Sequence, residues 1–350
     1  MRLQVVLGSL VILLPCFVQS PAWAEDCGPL KQITSIDMVQ APQGPRIFVP
    51  VTINGMPRQM LLNTAGGISN LQGPAVEAMG LHAIDASRVK MLDTAGNATQ
   101  FYVQVDDFVM GAIHGPHMQF IVTKAANANA NLPFVGSLAG DIMSQYDVEM
   151  DFAAHKLNFF SKEHCPGHVL YWNPTAVAVV PISFEAPTSD NSRTGFRSYA
   201  PRDIHIFVPV TLDGKTFLAA INTAANNSTL SANTAKFQFG ITADSPDSKP
   251  LGSFDSDPNH KVFGHVFSTL TFDGVTVTNP HVAIIPDLVG SKDPNNAGRT
   301  DTRIGRIDDN IGPQLTIGMD VLRKLRLYIA FGERKLYVTP ASVPVAAAAH

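Results

Sequence analysis

The sequence has few charged residues, and this scarcity excludes classes of partner. Charged side chains make up 15% of the 350 residues, the net charge is −4, and no basic stripe runs along the chain. Nucleic acids and anionic membranes are bound through clustered lysine and arginine, so we expect neither as a partner.

Long apolar runs are also lacking, and the first 24 residues have the features of a signal peptide instead. A short basic start precedes an apolar run at 5–18, which is too short and wrongly flanked for a good membrane span. Residues 22–24 form the small-x-small pattern of a signal-peptidase site. Cys16 suggests a lipoprotein signal as an alternative, but Pro15 before it fits poorly. The pattern predicts cleavage after Ala24 and a periplasmic or secreted protein.

Cysteine is rare, and only Cys27 and Cys165 follow the predicted cleavage site. An even count in an exported protein favours a disulfide, which would tie the mature N-terminus to the end of the first half of the chain. His164 and His168 flank Cys165, so a metal cluster stays open as an alternative. We expect the disulfide, no metal and no cofactor.

Proline and glycine, by contrast, are frequent. The 25 prolines and 26 glycines stand among many short β-branched runs, which is typical of an all-β protein. Hydrophobic residues make up 45% of the chain, enough for a core in each of two domains.

One unit is written twice. Asn-Thr-Ala-Gly at 63–66 returns as Asn-Thr-Ala-Ala at 222–225, and the segment at 47–55 returns at 206–214; both pairs are 159 residues apart. In each copy a hydrophobic strand, an Asn-Gly or Asp-Gly turn and a returning strand lead to the Asn-Thr-Ala motif. An ungapped repeat of this length predicts two related β lobes in one chain.

The two copies continue in the same order. We predict short helices at 71–80 and 230–240, each closed by a glycine. Further strands are predicted at 101–109, 118–122, 146–152 and 157–160 in the first copy and at 262–272, 282–285 and 326–331 in the second.

The second copy is longer than the first, because Asp141 and its counterpart Asp320 are 179 residues apart. The extra residues fall in the polar stretch 287–312, a loop by composition. The predicted organisation is a signal peptide at 1–24, a first lobe at 25–160, a connection at 161–203, a second lobe at 204–340 and a low-complexity tail at 341–350.

This ordered set of features resembles the retropepsin-like aspartic peptidases. In that family the two strands lead to Asp-Thr-Gly-Ala, and a later apolar-Gly-x-Asp-x-Leu segment packs behind the active-site loop. Residues 317–322 fit the later segment well, while 138–143 have Ala139 where the glycine would stand. The resemblance covers 45–160 and 204–338, and exported bacterial proteins of this type share the Cys-Pro-Gly…Tyr-Trp joint. It implies two retropepsin-like or pepsin-like β-barrel lobes related by a pseudo-twofold axis, with short helices.

The same resemblance implies a site built from both copies. Asn63 and Asn222 stand where the family has its two catalytic aspartates. The resemblance further implies supporting residues in both motifs, a loop behind the site, and flaps over the cleft; these are Thr64, Ala65, Thr223 and Ala224, then Asp141, Gly318 and Asp320, and finally the flap candidates Thr94, Ala95, Gly96 and Phe254. The threonines are expected to bond across to the opposite loop.

Asparagine changes what such a site does. Its amide has no titratable proton near neutral pH and cannot act as a general base. Loss of one positioned acid–base group typically costs about 10²–10⁴-fold in rate, and here both are missing. The sequence therefore predicts a catalytically inactive, monomeric homologue that binds an extended peptide or protein segment in the cleft between its lobes.

Two other functions stay open. The protein is an active aspartic endopeptidase if the asparagines deamidate or if Asp93 is used; Asp93 begins an Asp-Thr-Ala-Gly stretch whose position suits a flap hairpin. It is a structural envelope protein if the cleft is closed and irrelevant. The double asparagine is natural or engineered, and Ala65 and Ala224, which also depart from the family glycine, favour natural decay.

Other polar residues have plainer interpretations. Asp141 and Asp320 precede apolar turns, so we interpret them as N-caps of short helices and not as a second dyad. Asp106, Asp107 and Asp151 are expected to be solvent-facing strand ends. Ser69 and Ser228 lack the Gly-x-Ser-x-Gly frame of a serine hydrolase; they are not expected to be nucleophiles.

Overall fold

The structure is a computed structural model that describes residues 27–85, 91–92, 98–123, 134–184, 205–254, 260–287 and 314–341. The expected signal peptide, Asp93, the flap candidates Thr94, Ala95 and Gly96, nearly all of the extra loop and almost the whole tail lie outside the described residues. Within the described part, no helix is long and apolar enough to cross a membrane.

Strands dominate the first half, as its β-branched runs predict. They are β1 (Gln32–Asp37), β2 (Val39–Gln40), β3 (Ile47–Ile53), β4 (Met56–Leu62), β5 (Asn70–Gln72), β6 (Ile84–Asp85), β7 (Met91–Leu92), β8 (Ala98–Thr99), β9 (Phe101–Met110), β10 (Ile113–Thr123), β11 (Gly136–Leu138), β12 (Asp147–Asp151), β13 (Lys156–Phe160), β14 (Ala178–Pro181) and β15 (Ser183–Phe184), with the short helices α1 (Gly73–Ala78) and α2 (Gly140–Met143).

The second half repeats this order. Its strands are β16 (Ile206–Leu212), β17 (Lys215–Ile221), β18 (Ser228–Ser231), β19 (Lys249–Ser253), β20 (Lys261–Val266), β21 (Thr269–Phe272), β22 (Val275–Thr278), β23 (His281–Ile285), β24 (Leu315–Ile317), β25 (Leu325–Ala330) and β26 (Lys335–Pro340). The helices are α3 (Ala232–Thr234), which runs into one π-helical turn at Ala235–Phe239, and α4 (Met319–Leu322).

The first lobe contains a barrel. Its described strands pair in the order β2-β3-β4-β11-β5-β10-β9-β6, and β3 also pairs with β9. That extra pairing closes β3, β4, β11, β5, β10 and β9 on themselves, which removes most free sheet edges. Side chains that alternate along these strands fill the interior, among them the fully buried Val49, Leu62, Val103 and Phe120.

The second lobe uses the same pairings. Its described strands follow the order β19-β20-β23-β18-β24-β17-β16-β21-β22, with β15 beside β16. In both lobes, the second strand of the first hairpin runs parallel to the strand before the last short helix. These parallel pairs are β4 with β11 and β17 with β24. The repeat found in the sequence is therefore a repeat of structure.

A third sheet joins the lobes. Its order within the described residues is β1-β13-β12-β25-β26-β14, so that β12 from the first half pairs with β25 from the second. One face adds Val148, Met150, Leu327 and Ile329 to a hydrophobic core that runs through both lobes. The other face lies beneath the segment 164–172, and the predicted disulfide between Cys27 and Cys165 fixes that segment to the N-terminal segment.

Three sequence expectations need correction. The predicted helix at 230–240 is one short turn of α-helix followed by the π-helical turn, which Gly240 ends with a φ of 70°. The predicted strand at 262–272 is two strands, because the chain turns at Phe267 and Ser268 between β20 and β21. Asp151 does not face solvent: it is 5% exposed and pairs with Arg326, whereas Asp106 and Asp107 are exposed as predicted.

Candidate functional site

The two Asn-Thr-Ala motifs begin where a returning strand ends in each lobe. Asn63 follows β4 and Asn222 follows β17, and each loop is held to its own lobe by its first backbone N–H. Asn63 N donates to Leu138 O over 2.9 Å, and Asn222 N donates to Ile317 O over 2.9 Å. Leu138 and Ile317 are the last residues of β11 and β24, so the two loops begin at equivalent positions in their lobes.

The two threonines bring the loops together. Thr64 Oγ1 donates to Ile221 O at 2.7 Å and accepts from Thr223 N at 3.1 Å. Thr223 Oγ1 donates to Leu62 O at 2.8 Å and accepts from Thr64 N at 3.1 Å. Both side chains are fully buried. This reciprocal set of four hydrogen bonds fixes the two loops against each other across the lobe boundary.

The asparagine side chains are oriented by their own loops. Ala65 N donates to Asn63 Oδ1 over 3.1 Å, and Ala224 N and Ala225 N donate to Asn222 Oδ1 over 2.9 and 3.2 Å. The amide oxygen Oδ1 is the side chain's only acceptor atom, so these hydrogen bonds point it toward the backbone of its own loop. The Nδ2 group, a donor, is then on the opposite side of the amide. Neither group carries charge or takes up a proton in the ordinary pH range.

Asp141 and Asp320 lie behind the loops and do not cap helices, which corrects the N-cap interpretation. Ala139 and Gly318 occupy the N-cap positions, and neither has a side-chain cap. Asp141 Oδ1 instead accepts from Ser69 Oγ at 2.6 Å, and Asp320 Oδ1 accepts from Ser228 Oγ at 2.7 Å. Burial raises the pKa of Asp141 even though hydrogen bonds from Ser69 and Ile142 oppose that change.

Ser69 and Ser228 orient Asp141 and Asp320, a role that was not predicted from the sequence. Each serine N–H also donates to the same aspartate oxygen, at 3.0 and 2.9 Å. Each Oγ in turn accepts a backbone N–H, from Ala139 at 2.9 Å and from Gly318 at 3.0 Å. The two serines keep the 159-residue offset of the repeat, which was the available signal for a shared structural role.

Packing explains why Ala139 stands in the first lobe where the second lobe has Gly318. A Cβ on Gly318 would lie 2.5 Å from Asn227 C and O, so the second lobe requires glycine there. Ala139 packs against Gly66 instead, which has no side chain to obstruct it. Glycine is therefore required in the second lobe, where the backbone of Asn227 lies close, whereas in the first lobe the Ala139 side chain faces Gly66.

The first lobe also covers part of the second loop. A Cβ on Gly44 would lie 2.7 Å from Asn226 Oδ1, so the turn before β3 abuts this side chain. Ala224 packs against a small cluster of first-lobe residues, namely Ala41, Phe48, Leu61 and Phe134. The contact surface between the lobes thus extends outward from the threonine pair on this side.

Each lobe has an antiparallel strand pair next to its flap candidates. In the first, β7 pairs with β8, and Thr94, Ala95 and Gly96 lie outside the described residues. In the second, β19 pairs with β20, and Phe254 N donates to His260 O at 2.9 Å beyond the strand end. Phe254 and Leu251 are 50% and 59% exposed, an apolar surface on that hairpin.

The residues around Cys165 are engaged with other groups of the described chain. The Cys165 sulfur is bonded to Cys27, and His164 Nε2 lies 2.7 Å from Asp147 Oδ2. Within the described ranges, no group of three or more histidine, cysteine or acidic side chains is placed to hold a metal ion.

Comparison with known proteins identifies the fold. No family model matches the sequence, and no curated protein matches it. Among solved structures, the chain is similar to basic 7S globulin from soybean with a TM-score of 0.51 and 10% identity, over 90% of this chain and 96% of that one.

Two further structures are similar over most of their length. Conglutin gamma, a basic 7S globulin from lupine seeds, has a TM-score of 0.49 and 9% identity over 89% of this chain and 95% of that one. The protein edgp has a TM-score of 0.49 and 9% identity over 89% and 96%. Identity this low is informative about fold and not about ligand or activity. The chain has an all-β, two-lobed, pepsin-like fold.

Proposed function

We propose that this protein is an exported, catalytically inactive relative of the retropepsin-like aspartic peptidases. It would bind an extended peptide or protein segment between its lobes. One observation carries the proposal: the reciprocal bonds of Thr64 and Thr223 are intact, while Asn63 and Asn222 beside them hold amides. The scaffold of a two-lobe site is kept without its acid–base groups.

The chemistry of a peptidase of this class needs two carboxylates that share one proton. One carboxylate acts as base toward water and the other as acid toward the peptide carbonyl. The amides of Asn63 and Asn222 do neither, and Oδ1 of each is already used by backbone N–H groups. Asp141 and Asp320 do not replace them, since each is bound to a serine behind its loop.

Binding tolerates this change better than catalysis does. An extended peptide is held mainly by main-chain hydrogen bonds and by pockets for alternate side chains, none of which needs a carboxylate. The second-lobe hairpin offers the exposed Leu251 and Phe254 for such contacts. The amide Nδ2 groups add donors for a peptide carbonyl oxygen.

The decisive experiment restores the carboxylates. We expect the double variant Asn63→Asp with Asn222→Asp to cleave denatured protein at about pH 4–5, where one carboxyl of such a pair is protonated. The wild type should show no cleavage above background. A matched control, Asn54→Asp with Asn279→Asp, adds two carboxylates at exposed turns with positive φ and should stay inactive.

Two results would point elsewhere. Cleavage by the unmodified protein that Asn63→Ala abolishes identifies an active enzyme; an intact mass raised by about one unit per site would show deamidation as its cause. Absence of peptide binding in both the wild type and the restored variant favours a structural envelope protein. Export after Ala24, a monomeric state and the lobe bounds 25–160 and 204–340 belong to this proposal.

A further inference from the structure

A short segment without helix or strand covers the outer face of the joining sheet. Residues 164–172, which we call the cover, lie between β13 and β14. Val169 of the cover is fully buried, in a cluster with Tyr328 of β25. The ring of Trp172 lies over the guanidinium of Arg326, whose ion pairs connect β25 to β12. The cover therefore packs on the strands that join the two lobes.

The closed cover leaves polar atoms without partners. Tyr328 Oη, Asn158 Oδ1 and Trp172 Nε1 are three of the five buried side-chain atoms that lack a hydrogen-bond partner in the described part of the chain. They belong to one layer, since Asn158 Nδ2 donates to Tyr171 Oη over 3.3 Å and the rings of Tyr171 and Tyr328 both pack against Phe160. Unpaired buried atoms disfavour the closed cover relative to an open one in which water reaches them.

Other contacts of the cover act in the opposite direction. His164 Nε2 lies 2.7 Å from Asp147 Oδ2, and Gly167 N donates to Glu333 Oε1 over 2.9 Å. A hydrogen bond to a charged group and an unpaired buried atom have free energies of similar magnitude and opposite sign. A covalent bond to the cover is therefore able to decide whether it stays closed.

The disulfide between Cys27 and Cys165 is such a bond. Cys165 is the second residue of the cover, and Cys27 precedes β1, which pairs with β13. Cys27 is exposed and Cys165 is partly exposed, so a thiolate reaches the sulfurs from solvent. Exposed disulfides are the more labile ones toward thiols. These two are the only cysteines after the predicted cleavage site, so reduction of the exported chain acts at this bond alone.

We propose that the disulfide between Cys27 and Cys165 is a redox-sensitive clasp, which a dithiol opens so that the cover lifts from the joining sheet. This inference concerns the joint between the lobes and does not rest on the proposed function. A thiolate of the dithiol attacks Cys27 Sγ, and Cys165 Sγ leaves as a thiolate and takes up a proton. The second thiol of the dithiol then displaces Cys27 Sγ, so the cysteines gain two electrons and two protons and the dithiol becomes a disulfide.

Trp172 reports on the cover, because it is the only tryptophan after the predicted cleavage site. The exported chain is treated with a small dithiol at neutral pH, and fluorescence and amide hydrogen exchange are recorded before and after. We expect the emission of Trp172 to shift to longer wavelength as water reaches its ring. Exchange across 164–172 should become at least about tenfold faster, as for a segment that opens locally. Exchange in β12 and β25 should stay slow, since the sheet keeps its hydrogen bonds.

Two tyrosines on this face provide matched variants. Tyr328→Phe removes an unpaired hydroxyl, so in the reduced protein it should favour the closed cover and slow its exchange. Tyr337→Phe removes a hydroxyl that donates to Glu333 Oε2 over 2.8 Å, so it should not slow that exchange. The variant Cys27→Ser with Cys165→Ser should behave as the reduced protein and should not respond to the dithiol. If this variant does not fold, the reduced wild type still provides the measurement.

Either of two results would overturn the inference. If reduction changes neither the emission of Trp172 nor the exchange of the cover, the contacts of His164 and Gly167 hold the cover without the disulfide. If β12 and β25 lose their protection together with the cover, the disulfide stabilises the whole fold and is not a local clasp. Both results leave the proposed function standing, because peptide binding by the oxidised protein is measured separately.

Discussion

At the scale of single residues, hydroxyls do most of the positioning at the lobe boundary. Thr64 and Thr223 each serve one backbone carbonyl and one backbone N–H of the opposite loop, in a fully buried place. Ser69 and Ser228 each donate to an aspartate carboxylate and accept one backbone N–H behind the loops. Each hydroxyl satisfies groups that water cannot reach, so its loss leaves buried main-chain atoms unpaired.

Replacing Thr64 by valine should destabilise the protein by about 2–4 kcal/mol, because Ile221 O and Thr223 N both lose a partner. Thr64→Ser keeps the hydroxyl and should cost much less. Denaturant midpoints of the two variants measure the difference. Thr216→Val, at an exposed position on β17, controls for the loss of a hydroxyl alone. Equal losses for Thr64→Val and Thr64→Ser would contradict the role given to the hydrogen bonds.

The buried pair of His164 and Asp147 makes stability depend on pH. Burial lowers the pKa of His164, but the hydrogen bonds to Asp147 and to Cys165 O outweigh it, and the pKa is raised overall. A raised folded pKa gives stability that is complete below the unfolded value near 6.5 and is lost as pH rises through the folded value. The free energy of unfolding should then fall by at most about 1.4 kcal/mol per pH unit.

Denaturation at a series of pH values above neutrality tests this. His164→Gln should flatten the decline, since the titrating group is gone. His117→Gln, which alters an exposed histidine near Asp106, should leave the profile of the wild type unchanged. A decline that persists in His164→Gln would assign it to another group.

At the scale of elements, the short segments that meet behind the loops show what the sequence could predict. Local patterns predicted β3, β4, β16 and β17: a hydrophobic strand and a tight turn precede each Asn-Thr-Ala motif. The bonds between Ser69 and Asp141 join residues 72 apart in sequence, and no local pattern marks such a pair. Burial of Asp151 was missed for a similar reason, because its partner Arg326 lies in the other half.

Gly318 and Ala139 give a matched test of element packing. Gly318→Ala should destabilise by about 1–3 kcal/mol, because its Cβ would overlap the backbone of Asn227. Ala139→Gly removes only one methyl group from a place that already faces Gly66, and should cost less. Thermal unfolding of both variants provides the comparison. If Gly318→Ala leaves the stability unchanged, the loop that contains Asn227 moves to accommodate the added Cβ.

The outer face of the joining sheet carries a buried charge network. Arg326 binds Glu149 at 2.5 Å and Asp151 at 3.1 Å, and its guanidinium lies 3.9 Å from the ring centre of Trp172. Glu149 is fully buried. The network joins β12 to β25, so it connects strands from the two halves and the covering segment at once.

Arg326→Met should destabilise by about 3–5 kcal/mol, since it leaves buried carboxylates without a counterion. Adding Glu149→Gln and Asp151→Asn to that variant should restore much of the loss. The half-exposed Lys335 pairs with Glu333, which also accepts from Gly167 N and Tyr337 Oη, so Lys335→Met should cost less than about 1 kcal/mol. Chemical denaturation resolves these differences. A triple variant no more stable than Arg326→Met would show that hydrogen bonds, not charge, hold this face.

At the scale of the whole molecule, three features join the two lobes in addition to the contacts of Asn226 and Ala224 with the first lobe. They share the six-stranded sheet within the described residues, and their loops are hydrogen-bonded through Thr64 and Thr223. The segment 164–172, which the disulfide holds, packs over strands of both halves. None of these joints involves Asn63 or Asn222 side chains. The proposed function requires that the lobes stay joined without carboxylates at positions 63 and 222, and these joints meet that requirement.

The last prediction rests on the proposed function, in which the uncharged side chains of Asn63 and Asn222 lie at the centre of the binding cleft. Because Asn63 and Asn222 do not titrate, the affinity for a blocked peptide without ionisable side chains should vary by less than about twofold between pH 5 and 7.5. In the variant with Asp at both positions, the pair carries a negative charge that changes with protonation, so the same affinity should depend on pH. Calorimetric titration of both proteins with one peptide measures this, and the Asn54→Asp, Asn279→Asp control should behave as wild type. A wild-type affinity that changes steeply with pH would place a titrating group in the cleft and argue against two inert amides at its centre.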